Sequence, residues 1–342
     1  MSGVAFPADS ALRSLPLAPL YLTERCNSRC VTCDYWRHGR VDMNLEAVSR
    51  LLPDFAALGT RVILFSGGEP LLNPQWLAIA QLLKSRGLRL WLLTSGLSLA
   101  KHAATVCELF ESVTVSLDGA CPETYRAIRG LDAFHKVCEG IEAAAALGAF
   151  VSVRVTVQRA NYAELPDLVA LSRRRGARRV SFLAADVGNP HAFGRELADG
   201  FASDVALLES DLPKLERLLE NMEREQEAEF RCGFIAESPR KLRRILAYYR
   251  AICGLEVFPP VRCNAPEFSA VIEAGGKVRP CFFIPGPDEA RASAGLADVL
   301  NSTAMMNLRG EIRARQHPQC ASCVCSMWRD LSTPAEAHAG IV

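Results

Sequence analysis

The sequence predicts an α/β protein, a partial (β/α)6 TIM-like barrel with a small C-terminal α+β domain. Three observations carry that prediction. Short apolar runs rich in β-branched residues recur six times before residue 190, each is followed by a stretch of helical periodicity, and the alternation stops near residue 200. Strands alternating with helices form parallel sheets covered on both faces, so such strands read as nearly continuous apolar runs.

The six runs are PLYLT (19–23), RVILFS (61–66), LRLWLLT (88–94), SVTVSLD (112–118), FVSVRVTV (150–157) and RVSFLA (179–184). Helical periodicity falls near 44–58, 75–86, 99–110, 134–148 and 161–175, and Gly87, Gly148 and Gly176 supply stop signals. Six β/α units are too few for a complete eight-fold barrel, hence the partial one. Residues 1–199 read as this barrel. Residues 200–255 read as connecting helices, from the charged segment 203–230 and the basic amphipathic SPRKLRRILAYYRAICG (238–254). Residues 256–342 form the small domain, with a hairpin of FSAVIEA and KVRPCFF about Gly275-Gly276, a short helix near 303–316, and the cysteine group CASCVC at 320–325.

With 342 residues the chain can bury a sizeable core. Its 39 Lys+Arg against 38 Asp+Glu leave no long-range field to draw in nucleic acid or an anionic membrane. No segment approaches the roughly 20 apolar residues of a membrane span, and the N-terminus has no secretory pattern, so the protein reads as cytoplasmic. Thirteen cysteines, an odd number in a reducing compartment, then point to metal ligation rather than disulfides. They gather at 26–33 and 320–325, with Cys263 and Cys281 between. Cys107, Cys121, Cys138 and Cys232 stand apart and read as small buried apolar residues.

The stretch LTERCNSRCVTCDYW (22–36) places Cys26, Cys30 and Cys33 within eight residues. Three thiols can be an incomplete zinc site, half of a disulfide pair, or an iron site left open. A closed zinc site needs a fourth ligand, and the nearest, His38, stands five residues past Cys33 in a polar stretch. In a four-iron cube, three thiolates leave one iron without a protein ligand. Chemistry in such sheets collects at the carboxyl ends of the strands. The next three strands run into SGGEP (66–70), TSG (94–96) and SLDG (116–119), which would line the same mouth.

With these loops in this order, the chain resembles the radical S-adenosylmethionine (SAM) superfamily over about residues 18–190. The resemblance implies that Cys26, Cys30 and Cys33 hold a 4Fe-4S cluster whose open iron binds the amino and carboxylate groups of SAM. One electron then splits the sulfonium into methionine and a 5′-deoxyadenosyl radical that takes hydrogen from a substrate. It implies SAM-binding roles for Gly67, Gly68, Glu69 and Pro70 at the methionyl ammonium, Ser116 and Asp118 at the ribose, Arg154 at the carboxylate, and the Tyr35 backbone at the adenine edge. Simpler readings stand beside these: an ordinary β-to-α turn opened by Pro70, a helix cap at SLDG, and a barrel-lining ion pair at Arg154. Arg129, in YRAIRG (125–130), reads as scaffolding. One departure from the family is Thr32 where many relatives have an aromatic residue; here Tyr35 and Trp36 follow instead.

Cys263 and Cys281 bracket the hairpin as C-x12-G-x4-C, and Cys320 and Cys323 form a CxxC, so four thiolates can close either a zinc site or an iron–sulfur cluster. The spacing resembles the SPASM and twitch extensions of radical SAM enzymes and implies a second, auxiliary 4Fe-4S cluster on Cys263, Cys281, Cys320 and Cys323. The run ends at CxxCxC, which suits the shorter twitch arrangement; Cys325 could replace Cys323, and Cys253 reads as non-ligating. The basic run RRRGARR (173–179) reads as a solvated face, and Asp186 and His191 as possible substrate contacts. The function implied is hydrogen abstraction from a small organic substrate (a sugar, nucleoside, or cofactor or natural-product precursor), with a flavodoxin- or ferredoxin-type electron donor. A peptide-modifying maturase is the second reading, although the residues ahead of the first strand leave no room for an added peptide-binding domain. A non-enzymatic iron–sulfur or zinc sensor is the third. No residue can be named as the catalytic proton or hydrogen donor.

Overall fold

A computed structural model describes residues 11–37, 39–195 and 204–331; His38 and the expected boundary at 199–200 lie outside them. Six parallel strands follow one another across the sheet: β1 (Leu17–Thr23), β2 (Val62–Gly67), β3 (Arg89–Thr94), β4 (Ser112–Ser116), β5 (Val151–Val157) and β6 (Arg179–Ala184). Between them run α1 (Leu45–Ala57), α2 (Trp76–Ser85), α3 (Leu99–Leu109), α4 (Pro122–Arg129), α5 (Phe134–Ala146) and α6 (Leu165–Arg174). The expected α/β architecture is present. Of these helices the sequence reading lacks α4, whose eight residues are too short and too charged for periodicity to show; Pro122 opens it and Gly130, at φ 71°, closes it.

One face of the sheet packs on the helices. Ile63, Phe65, Leu90, Leu92, Val113, Val115, Val153 and Val155 share one core with Val48, Leu51 and Phe55 of α1. The other face is divided. On β1–β3 it is apolar, and Leu17, Val62, Leu64 and Trp91 form a second cluster with Ala265 and Phe268, against which Cys263, Cys281 and Met327 pack. The C-terminal region therefore plugs this half of the barrel. On β4–β6 the same face is polar: Thr114 stands opposite Ser152, and Arg154 opposite both Ser116 and Ser181.

The expected C-terminal hairpin about Gly275-Gly276 is present as an antiparallel pair, but it is short. Its strands, β7 (Val271–Ile272) and β8 (Val278–Arg279), are two residues each, and they do not form a sheet of their own. β7 lies parallel to β1, with Leu20 opposite Ile272, and extends the barrel sheet to eight strands. The reason is that β1 would otherwise be an open edge, and an unpaired edge strand demands a cover. The helix Pro239–Ile252 closes the far side: Tyr249 Oη donates to Val157 O (2.6 Å) and accepts from Ala185 N (3.2 Å). Among the described residues no helix is long and apolar enough to cross a membrane. Of the four isolated cysteines, Cys138 is buried as expected, but Cys107 and Cys121 are half-buried and Cys232 is exposed at a helix end.

Candidate active site

β1 delivers the chain into the three-cysteine loop, and three neighbouring segments hold that loop by its backbone. Gly68 N donates to Thr23 O and Glu69 N to Arg25 O, both at 2.8 Å; Arg29 N and Val31 N donate to the last carbonyls of α4, Arg129 O and Ile128 O, both at 3.0 Å; Asp34 N donates to Phe193 O at 3.0 Å. The contact with the β2 loop is tight enough to dictate glycine. A Cβ on Gly67, which sits at φ 114°, would fall 2.6 Å from Thr23 O, and one on Gly68 would fall 2.2 Å from Arg25 O.

The other residues expected to meet SAM are distributed unevenly. Glu69 is fully buried, and its carboxylate accepts from Thr94 Oγ1 (2.8 Å), Ser95 N (2.7 Å) and Leu71 N (3.2 Å), tying the β2 loop to the TSG loop. Pro70 opens a short 3-10 turn behind it. Asp118 is buried too, one oxygen 3.0 Å from Arg129 Nη1 and the other accepting from Thr156 N at 2.6 Å. Both carboxylates are thus occupied by protein donors. Ser116 ends β4 beside Arg154, whose Nε is buried without a hydrogen-bond partner among the described residues. Tyr35 packs edge-on to Tyr21, with ring centroids 5.8 Å apart.

The sulfur environments suit iron–sulfur ligation. Ser28 N points at Cys26 Sγ (3.4 Å) and Ala265 N at Cys263 Sγ (3.5 Å), and the amides of Tyr35, Phe283 and Cys325 face Cys33, Cys281 and Cys323 in the same way, each from two residues on. Amide donors aimed at sulfur stabilise the thiolate. Burial acts the other way and pushes Cys26 up to about 11 and Cys33 up to about 12, with Cys30 also raised; Arg129 opposes the rise at all three. Half-buried, desolvated thiols with directed donors call for a bound cation to hold them ionised. Among the described residues no three His, Cys, Asp or Glu side chains converge on a single metal position, and a cube asks for less, since each of its thiolates binds a different iron.

The second cysteine group lines a cavity of about 150 Å³, walled by Cys263, Cys281, Cys320, Cys323 and Cys325 among apolar side chains. Burial raises Cys320 and Cys325 to about 12 and lifts Cys281 and Cys323 as well. Cys325 lies within electrostatic reach of Arg154 on β5. Cys253 lies elsewhere, its sulfur on Leu207 O (3.6 Å). Of the two loop residues considered for substrate, Asp186 is committed to the amides of Gly188 and Asn189 and to Arg195 at 3.5 Å, whereas His191 is exposed. Arg173 and Arg175 pair with Glu229 and Glu142 near the surface, as a solvated face requires. Sequence reasoning gave no part to Tyr21, hidden in an apolar run, or to Asn27, which accepts from Ser95 Oγ at 3.2 Å.

An incomplete three-thiol loop thus opens from the first strand of a parallel α/β half-barrel, and residues 20–171 match the Radical SAM superfamily. More particular likenesses follow. Over 183 residues the chain is 34% identical to a GTP 3′,8-cyclase of Rhizobium etli, covering 50% of this chain and 53% of that protein. It is 32% identical over 196 residues to GTP 3′,8-cyclase 3 of Mycobacterium bovis, covering 53% and 51%. The chain thus spans about half the length of these curated relatives. In three dimensions it is similar to Streptococcus suis SuiB bound to S-adenosylmethionine, with a TM-score of 0.66 and 13% identity over 93% of this chain and 73% of that one. It is also similar to anSMEcpe with bound AdoMet and Cp18Cys peptide, with a TM-score of 0.62 and 17% identity over 92% and 88%.

Proposed function

We propose that this protein reductively cleaves SAM and abstracts hydrogen from a small polar substrate of the sugar, nucleoside or cofactor-precursor kind, with one auxiliary 4Fe-4S cluster beside the first. The carrying observation is the set of three half-buried cysteines, two with amides directed at their sulfurs, where the loops after β1, β2 and β3 are hydrogen-bonded together. When bound, an open-iron cluster supplies the electron that splits the sulfonium. The chain itself does the rest. Cys26, Cys30 and Cys33 hold the cluster, the glycine-tight contact of Gly67 and Gly68 fixes their loop, and Glu69 and Asp118 brace the surrounding loops rather than reach outward. Ser116 and Arg154 stay available to SAM or substrate.

For the auxiliary cluster the ligands are Cys263, Cys281, Cys320 and Cys323. Cys323 is favoured over Cys325 because its sulfur has an amide donor, as those of Cys263 and Cys281 do. The division into barrel (1–199), connecting helices (200–255) and cluster domain (256–342) belongs to this reading, as does a flavodoxin- or ferredoxin-type donor. A small substrate is preferred to a peptide on two grounds. The relatives similar in sequence are named for a nucleotide, whereas the peptide-bound structure is similar in fold alone. The barrel face on β4–β6 also carries the hydroxyls of Thr114, Ser116 and Ser152 and one guanidinium, with the Ser181 hydroxyl donating to Glu237. The test is anaerobic reconstitution: about eight irons and eight sulfides per chain, with 5′-deoxyadenosine formed from SAM after dithionite, is the expected result. Zinc without sulfide, or no cleavage of SAM by the loaded protein, would overturn it.

A further inference from the structure

The YRAIRG motif places a buried cation against the first cysteine loop. α4 ends at Arg129, and a Cβ on the following Gly130 would lie 2.4 Å from Arg29 O, so helix end and loop are in direct backbone contact. With the Ile128 and Arg129 carbonyls accepting from that loop at 3.0 Å, the Arg129 backbone is fixed relative to the cysteines. Its side chain is 11% exposed and its partner Asp118 is 3% exposed, with the second Asp118 oxygen locked by Thr156 N. The Arg129 Nε is buried with no hydrogen-bond partner among the described residues. Scaffolding does not need this. Burying a charge is unfavourable unless other charges repay it, and Cys30, Asp118 and Cys26 all act on this guanidinium.

We propose that Arg129, aimed by Asp118, is a positioning residue that raises the reduction potential of the cluster held by Cys26, Cys30 and Cys33. This rests on the SAM-cluster reading above. An added electron makes the cluster more negative, so a fixed cation in a low-dielectric setting stabilises the reduced form more than the oxidised one. Asp118 has the opposite sign and opposes that effect while holding the guanidinium in place.

The test uses the reconstituted full chain, with dithionite as the one-electron reductant, and follows by redox titration the electron paramagnetic resonance signal that SAM perturbs. Arg129→Met is expected to lower the reduced-to-oxidised ratio about tenfold at a fixed potential, which is 59 mV for one electron. Arg129→Lys should stay near the parent, and Asp118→Asn should move to higher potential. The proposal is overturned if Arg129→Met carries parental iron and sulfide and titrates with the parent. Should that variant fail to load iron, Arg129→Gln decides: a midpoint below the parent supports the role, one at or above it overturns it. A parent chain whose signal ignores SAM sinks the SAM-cluster reading itself, whereas a SAM-responsive signal with unmoved midpoints sinks only the role of Arg129.

Discussion

Gly68 and Gly275 both sit in turns, but they answer to different constraints. A methyl group on Gly68 would meet the Arg25 carbonyl, whereas one on Gly275 would meet nothing within 4 Å. Backbone cannot swing aside as a side chain can, so Gly68→Ala is expected to destabilise by about 1–3 kcal/mol and to reduce iron uptake. Gly275→Ala should change stability by less than about 1 kcal/mol; urea unfolding with iron analysis compares them. At the second group, Cys323→Ser is expected to drop iron from about eight to about four per chain while Cys325→Ser keeps it. The reverse order would reassign the fourth ligand. These differences are invisible in sequence, because CxxCxC spacing treats both cysteines alike and only the fold tells which sulfur an amide faces.

Among the elements, the strands were legible because β1–β3 are apolar on both faces and β4–β6 keep apolar, mostly β-branched residues at every second position, and the long helices because their periodicity survives over ten or more residues. α4 and the two-residue strands β7 and β8 fall below that length, and their pairing is decided by distant segments. Glu69 and Asp118 show the same limit: the motifs name the residues, but which donors each carboxylate accepts from depends on segments remote in sequence. The helix Pro239–Ile252 is held to the sheet at such a point, through the Tyr249 hydroxyl, which is satisfied on both sides by backbone at the ends of β5 and β6. Tyr249→Phe removes a donor and an acceptor from a buried site and is expected to lower stability by about 1–3 kcal/mol. Faster amide exchange at Ala185 would show that the loss is local to this junction.

On the scale of the whole molecule, the barrel and the C-terminal region are not separable pieces. Phe268 and Ala265 fill the apolar half of the barrel, and β7 completes the edge of β1. A chain ending at residue 255 is therefore expected to self-associate, having exposed both an apolar cluster and an open strand edge; light scattering of the truncated and full chains makes the comparison. A monomeric, stable truncation would show that the barrel stands alone.

The shared strand edge also couples the two thiol groups to one frame. Since β1 carries the first group at its end and borders the hairpin that precedes Cys281, an insertion or deletion in that hairpin shifts register against the very strand that aims the first three sulfurs. Exchange of single residues leaves that frame in place, whereas a change of length there reaches both thiol groups.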